Sequence, residues 1–435
     1  MAALGHRRSG TRCVCSASHS SHQRRPPRGA TGALESSNRR LARRLGIAAA
    51  ADYSAKASRQ NLAAPTFQIP ADLMSKQRIG LALSGGGFRA TCFGLGCLRA
   101  LHDQDLLEQV TVISGVSGGS VLTALYAYGP ADFDEFNSLV VEQLRKGLQL
   151  EVVARALRPD TAARNLAHST HAAIIRRAGE PVLRGANRTD ALRDTLAARA
   201  FGERLMDQVT HSGLATVITA TDLRTSNAMR FGSLRSSCSA YGTVLEPVLV
   251  AEAVAASGAF PLLLPAVERA YAFQAQPTAK PERHGVLLTD GGIYDNLGLS
   301  VLEPGRSASH TAHIYELDYI IACDAGRGRL PLTAGHFAAA RMKRSFVVTY
   351  RRAQDASRGR LHDAASAGLI KGFVHAYLGM RDEHLPVPIP DIVPAEAVRH
   401  YPTDFRAISA ADLAAISLRG EQLTRTLLAH YCSEL

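Results

Sequence analysis

Gly115-Val116-Ser117-Gly118-Gly119 is where this 435-residue chain could present a nucleophile, because the five residues fit G-x-S-x-G. A strand that turns sharply into a helix leaves no room for side chains beside its apex, so glycines flank the serine. The turn also lifts the serine oxygen to a helix start, where negative charge costs less. The context is the one the motif needs. Val110-Thr111-Val112-Ile113 reads as a β-branched strand before it, and Val121, Leu122, Leu125 and Tyr128 mark one face of a helix after it. A purely structural turn is the competing reading, and this context favours the nucleophile.

Ser84-Gly85-Gly86-Gly87-Phe88-Arg89-Ala90 is a second candidate. Consecutive glycines after a buried strand let backbone N–H groups point at an anion, which in acyl transfer forms the oxyanion hole. The amides of Gly85, Gly86 and Gly87 are the expected donors. The same residues match the dinucleotide pattern G-x-G-x-x-G/A. That pattern wants an acid at the tip of the next strand, and Ser114-Gly115-Val116-Ser117 stands there instead. A third candidate is Asp290-Gly291-Gly292 after Val286-Leu287-Leu288-Thr289. A carboxylate at a strand end can take a serine proton as general base. A plain Asp-Gly turn is the bland alternative. Asp324 in Asp324-Ala325-Gly326 has the same placement and competes with Asp290, and Asp295 lies too near Asp290 to be separated by spacing.

The elements that must position these residues follow an alternating pattern. Arg78 to Leu83 is a short buried strand and Arg89 to Leu106 a helix; the strand, turn and helix around Ser117 come next. This β-loop-α-β-turn-α order predicts an α/β sheet covered by helices. Strands are expected again at 215–220, 229–232, 286–289 and 319–322. Residues 131–212 are polar, Arg-rich and helical in pattern, with Leu139, Val140, Leu144 and Leu148 on one face; they read as a cap over the site or as an ordinary surface helix pair. Gln274 to Arg283 reads as a surface insertion, and the chain after His336 as mostly helical.

Taken in order, Gly85-Gly86-Gly87-Phe88-Arg89, Gly115-Val116-Ser117-Gly118-Gly119 and Asp290-Gly291-Gly292 resemble the patatin-like phospholipases. Ala256-Ser257-Gly258-Ala259-Phe260-Pro261 and Ala220-Thr221-Asp222-Leu223 add to the likeness, which spans roughly residues 78–330. The resemblance implies a three-layer α/β/α sandwich with a mostly parallel central sheet. It also implies a Ser–Asp dyad without histidine: Ser117 as nucleophile, Asp290 as base, and Gly86, Gly87 and Arg89 at the oxyanion site. The implied activity is hydrolysis of acyl esters in phospholipids, lysophospholipids or neutral lipids, with no nucleotide cofactor and no obligatory metal. One position departs from the pattern, since the glycine motif usually ends in Gly and here ends in Ala90. The alternative is a Ser–Asp–His triad drawing on His310, His313, His336, His362 or His375. A non-catalytic lipid-binding protein of the same fold is a further alternative, against which Ser117 and Asp290 both stand.

Bulk properties limit the partners. The chain carries +12 overall, but residues 1–45 hold ten arginines against Glu35, a local +9, leaving +3 for the rest. A basic nucleic-acid face on the folded part is therefore not expected. The tail lacks the apolar core of a secretory signal and reads as disordered or as a targeting segment. No run approaches the ~18 apolar residues of a membrane span. Seven scattered cysteines show no zinc spacing, and Cys92, Cys97 and Cys323 lie in apolar contexts. This fits a reducing, cytoplasmic compartment with transient contact to membranes carrying the lipid ester. The expected organisation is a basic tail and linker over 1–77, a catalytic domain over 78–330 with a helical insertion at 131–212, and a mainly helical extension over 331–435 packed on it.

Overall fold

The computed structural model describes residues 77–157, 187–261, 263–308, 311–328 and 337–435. The basic tail, most of the linker and residues 158–186 of the insertion lie outside them. Strand β1 (Ile79–Leu83) is buried along its whole length. Its side chains alternate between two cores: Ile79, Leu81 and Leu83 on one face, Ala82 on the other. A strand buried on both faces reads as a continuous apolar run, which is what the sequence has here.

Helix α1 (Phe88–His102) follows, then β2 (Val110–Gly115), α2 (Gly118–Tyr128), α3 (Phe133–Lys146) and α4 (Gln149–Ala156). Helix α5 (Arg188–Leu196) opens on a capping box from Asn187 and Asp190. Strands β3 (Ala215–Asp222), β4 (Asn227–Gly232), β5 (Ser237–Cys238) and β6 (Gly242–Val244) lead to α6 (Val250–Ser257). The chain continues through β7 (Val267–Gln274), β8 (Glu282–Asp290) and β9 (Tyr319–Asp324). It ends with the long helix α7 (Ala338–Ser366), β10 (Gly372–Tyr377) and α8 (Ala410–Tyr431).

The sheet order is β10-β9-β1-β2-β3-β4-β5-β6-β7-β8, and β8 also pairs with β3. The α/β expectation holds; the mostly parallel sheet does not. β10, β9, β1, β2 and β3 run parallel. From β3 onward every pairing among the described residues is antiparallel, and β8 returns to β3 to close a barrel-like ring. Connection length explains the difference. A parallel crossover needs a dozen or more residues, whereas β3 and β4 are joined by a tight turn at 223–226. Ser226 sits there at φ +59° and donates its N–H to the Asp222 carbonyl. The expected surface insertion at 274–283 is the turn of the β7–β8 hairpin with its flanking strand ends.

Helix α8 crosses α1 closely. A side chain at Gly96 would stand 1.8 Å from the Ser417 carbonyl oxygen, so glycine is what permits the approach. Cys92 and Cys97 lie in that contact, with their thiols on the Leu413 and Gly420 carbonyls. The C-terminal segment thus adds an edge strand to the sheet and a helix to its cover.

Candidate active site

Ser117 follows Val116 after the end of β2 and stands immediately before α2, held at φ +52°, ψ −120°. A non-glycine residue there is strained by ~1–3 kcal/mol, and the surroundings over-determine it. Its N–H donates to the Ser257 hydroxyl at 2.9 Å, and that hydroxyl donates to the Thr219 carbonyl at 2.7 Å. On its other side, a side chain at Gly118 would stand 1.9 Å from the Gly87 carbonyl. The serine turn and the glycine loop are therefore packed backbone against backbone.

Sheet register brings Asp290 to the same level. Gly115 pairs with Ile218 on one edge of β3 while β4 holds the other, and further along that same first edge, past the end of β2, Ala220 pairs with Asp290. Residues 256–259 buttress that strand end. Ser257 and Ala259 accept N–H donations from Gly291 and Asp290, and Thr289 donates its hydroxyl to Ala259. The Asp290 carboxylate is buried and accepts the Gly292 N–H at 2.7 Å. Burial pushes its pKa up to about 6, against the opposing pull of hydrogen bonds from the Ser117 side chain and the Gly292 amide.

The glycine loop divides its amides. Gly85 donates to the Asn296 carbonyl at 2.9 Å. The amides of Gly86 and Gly87 have no acceptor among the described residues, and both residues have positive φ (+152° and +59°). Arg89 is buried and turned toward neutral acceptors: Nε donates to the Ala325 carbonyl at 3.0 Å, and Nη1 to the Tyr401 carbonyl and Thr403 hydroxyl at 2.8 and 2.7 Å. Burial, then repulsion from Arg327, lowers its pKa to about 10. Ala90 places its methyl group, buried, in the first turn of α1.

Asp324 has a different environment. Its carboxylate accepts Arg358 Nη2 at 2.7 Å, the His375 ring at 3.1 Å and the Gly326 N–H at 2.7 Å. Burial alone would raise its pKa, but His375 and Arg358 outweigh it and hold the carboxyl well below the usual range. Asp295 spends its carboxylate on the N–H groups of Leu297, Gly298 and Ser300. Of the candidate histidines, His313 is buried against Ser237 and Tyr315, His362 packs edge-on against Phe373, and His375 holds Asp324. His310 and His336 lie outside the described residues. Among the described residues no group of three or more His, Cys, Asp or Glu is placed to hold a metal ion.

Ser117, Asp290 and the glycine loop line one cavity of about 1290 Å³. Phe260, Leu263, Leu264, Phe346 and Val347 make part of its lining apolar; Arg327, Arg351, Arg358, Arg381 and Arg399 make another part cationic. No described residue of the 131–212 region lines it. Much of the wall comes instead from α7 and from residues 375–405. Nothing local in the sequence signals this, because wall residues on separate C-terminal elements share no motif. Ser257 was visible only as part of a resembling segment; its hydroxyl between Ser117 and Thr219 needed coordinates.

Several solved structures align with the chain. Human GIVD cytosolic phospholipase A2 is 13% identical at a TM-score of 0.45, covering 87% of this chain and 64% of that one. VipD from Legionella pneumophila is 14% identical at 0.32, covering 82% and 67%. ExoU, in its complex with SpcU from Pseudomonas aeruginosa, is 20% identical at 0.21, covering 44% and 39%. These likenesses are too distant to carry functional detail. No curated protein matches the chain. The patatin-like phospholipase family model matches residues 81–302, about half the chain and all three segments around Ser117, the glycine loop and Asp290. The chain belongs to the patatin-like phospholipase family.

Proposed function

We propose that this protein is a lipid acyl hydrolase that cleaves carboxylic esters of the phospholipase A or lysophospholipase type through a Ser117–Asp290 dyad. The observation that carries the reading is that Ser117, held in a strained strand-to-helix turn, and the buried Asp290 carboxylate stand together on the wall of one large, partly apolar cavity. In this mechanism Asp290 accepts the Ser117 proton as the hydroxyl oxygen attacks the ester carbonyl. The Gly86 and Gly87 amides stabilise the oxyanion; Gly85 holds the loop through Asn296 and Arg89 holds it through Ala325, Tyr401 and Thr403. Asp290 then gives its proton to the leaving alkoxide, leaving an acyl-Ser117. A water whose proton passes to Asp290 releases the fatty acid and restores the serine.

The fold supports a catalytic domain over 78–330 whose cavity is completed by the C-terminal 331–435 segment. Five described cysteines are free and buried, which favours the reducing cytoplasm. No described helix is long and apolar enough to cross a membrane, and the lipid substrate calls for transient contact with a membrane surface.

The test uses purified protein with a soluble p-nitrophenyl ester and a fluorescent phospholipid, beside Ser117→Ala and Asp290→Asn. Both variants are expected to lose at least about 10³-fold in kcat/KM, and an active-site phosphonate should label Ser117 in the parent alone. Turnover persisting in either variant sinks the dyad. Loss of activity in a His362→Ala variant would put a triad in its place.

A further inference from the structure

Helix α7 has two halves of different character. Its C-terminal half is anchored: Ser357, Leu361 and Ala364 are buried, Arg358 pairs with Asp324 and Asp355, and Arg360 pairs with Glu303. Toward the N-terminus, none of the described side chains before Ser357 is fully buried. Residues 337–354 contain five cations (Arg341, Lys343, Arg344, Arg351, Arg352) and no acid. Arg341, Arg351 and Arg352 form no ion pair among the described residues, although carboxylates serve the arginines one turn further on. Cations in the first turns of a helix oppose its dipole, so this placement works against the isolated fold.

Large apolar residues of the same stretch are exposed as well. Phe337 is 81% exposed and Met342 73% exposed, with Phe346 and Val348 nearly half exposed. Phe346 also lines the cavity that contains Ser117, as does the half-exposed Leu263. Phe346 and Arg351 thus place part of this same stretch in the cavity wall, while Phe337, Arg341, Met342 and Arg352 stand outside the lining.

We propose that residues 337–353 are the surface on which the protein docks to an anionic lipid bilayer, with Phe337 and Met342 entering the acyl boundary and Arg341 and Arg352 among the headgroups. Charge complementarity selects this occupant. A stretch with unpaired cations, no acid and interspersed large apolar side chains fits a negative interface with an apolar layer beneath it, whereas an apolar protein groove would leave those cations unpaired. Docking there brings a helix that walls the cavity to the lipid, so the inference rests on the hydrolase reading given above.

The experiment compares full-length Ser117→Ala protein with the same protein carrying Arg341→Glu/Arg352→Glu or Phe337→Ser/Met342→Ser. Co-sedimentation is measured with vesicles of phosphatidylcholine alone and with roughly 30% phosphatidylglycerol, a negative surface potential of the kind basic segments sense. Binding is expected only to the anionic vesicles and should weaken with salt. Each double variant should lower partitioning about tenfold or more. With Ser117 intact, each double variant should turn over a soluble ester as fast as the unsubstituted protein, with unchanged thermal midpoints. Equal binding to both vesicles, or either double variant binding like its parent, overturns the proposal. Binding to neither vesicle also overturns it and points to a protein occupant. An absence of soluble-ester turnover in the unsubstituted protein would defeat the hydrolase reading and leave the sedimentation result standing.

Discussion

Ser117 occupies a backbone conformation that glycine adopts freely and serine does not. The dyad reading predicts that two inactive variants will differ in stability. Ser117→Ala keeps the strain, whereas Ser117→Gly relieves it, so the glycine variant should be more stable than the alanine one by about 1 kcal/mol in urea unfolding. Equal stabilities would mean the turn is not strained. Asp290 makes the opposite bargain with its surroundings. Its folded pKa of about 6 lies above the ordinary 3.8, so the folded state binds the proton more tightly than the unfolded chain does. Nothing is lost below pH about 4; between about 4 and 6 the protein gives up on the order of 3 kcal/mol, and the penalty persists at neutral pH. Asp290→Asn, which keeps an oxygen for the Gly292 N–H, should therefore raise the melting temperature at pH 7 while abolishing turnover. For the parent, kcat/KM on a soluble ester should rise about tenfold per pH unit below 6 and level off above it. A profile flat from pH 4.5 to 7.5 would exclude a buried carboxylate base.

At the scale of elements, the site depends on the ends of β2, β8 and α6 meeting. The first two could be read from sequence, because each ends in a glycine-flanked polar residue after a β-branched or apolar run. The end of α6 could not, because Ser257 sits in an Ala-rich segment where a serine is unremarkable by composition. Its hydroxyl takes the Ser117 N–H and gives its proton to the Thr219 carbonyl. Ser257→Ala should lower kcat by about tenfold with KM little changed, and slow phosphonate labelling in step, because the serine turn loses its anchor and not its substrate contacts. An unchanged labelling rate would assign Ser257 to packing alone. The antiparallel ring was illegible for a related reason. Alternating strand and helix signals stop after β3, and periodicity cannot say whether the next strands cross over or double back. Arg89 shows the same limit: its motif position suggested a role beside the oxyanion, but its partners Ala325, Tyr401 and Thr403 lie more than two hundred residues away.

At the scale of the whole molecule, the cavity depends on the C-terminal segment being held to the sheet, and Asp324 is where that happens. It sits at the end of β9 and receives Arg358 from α7 and His375 from β10, both of which line the cavity. By sequence it was a competitor for the catalytic base. Its partners instead make it a buried, paired charge that joins three elements. Asp324→Asn takes from Arg358 and His375 the buried carboxylate they share, so it should cost about 3–5 kcal/mol of unfolding free energy at pH 7. The sign with pH is opposite to that of Asp290. A carboxyl held well below its ordinary pKa contributes stability that is complete above pH about 4 and declines as pH falls further. The gap between parent and Asp324→Asn should accordingly narrow from pH 7 to pH 3 in parallel urea titrations. If Asp324 acts only through the cavity wall, the variant should keep its kcat on a short soluble ester and show a raised KM for long-chain substrates, whose acyl groups need the Phe346 side of α7 in place. A loss of kcat equal to that of Asp290→Asn would return Asp324 to the chemistry.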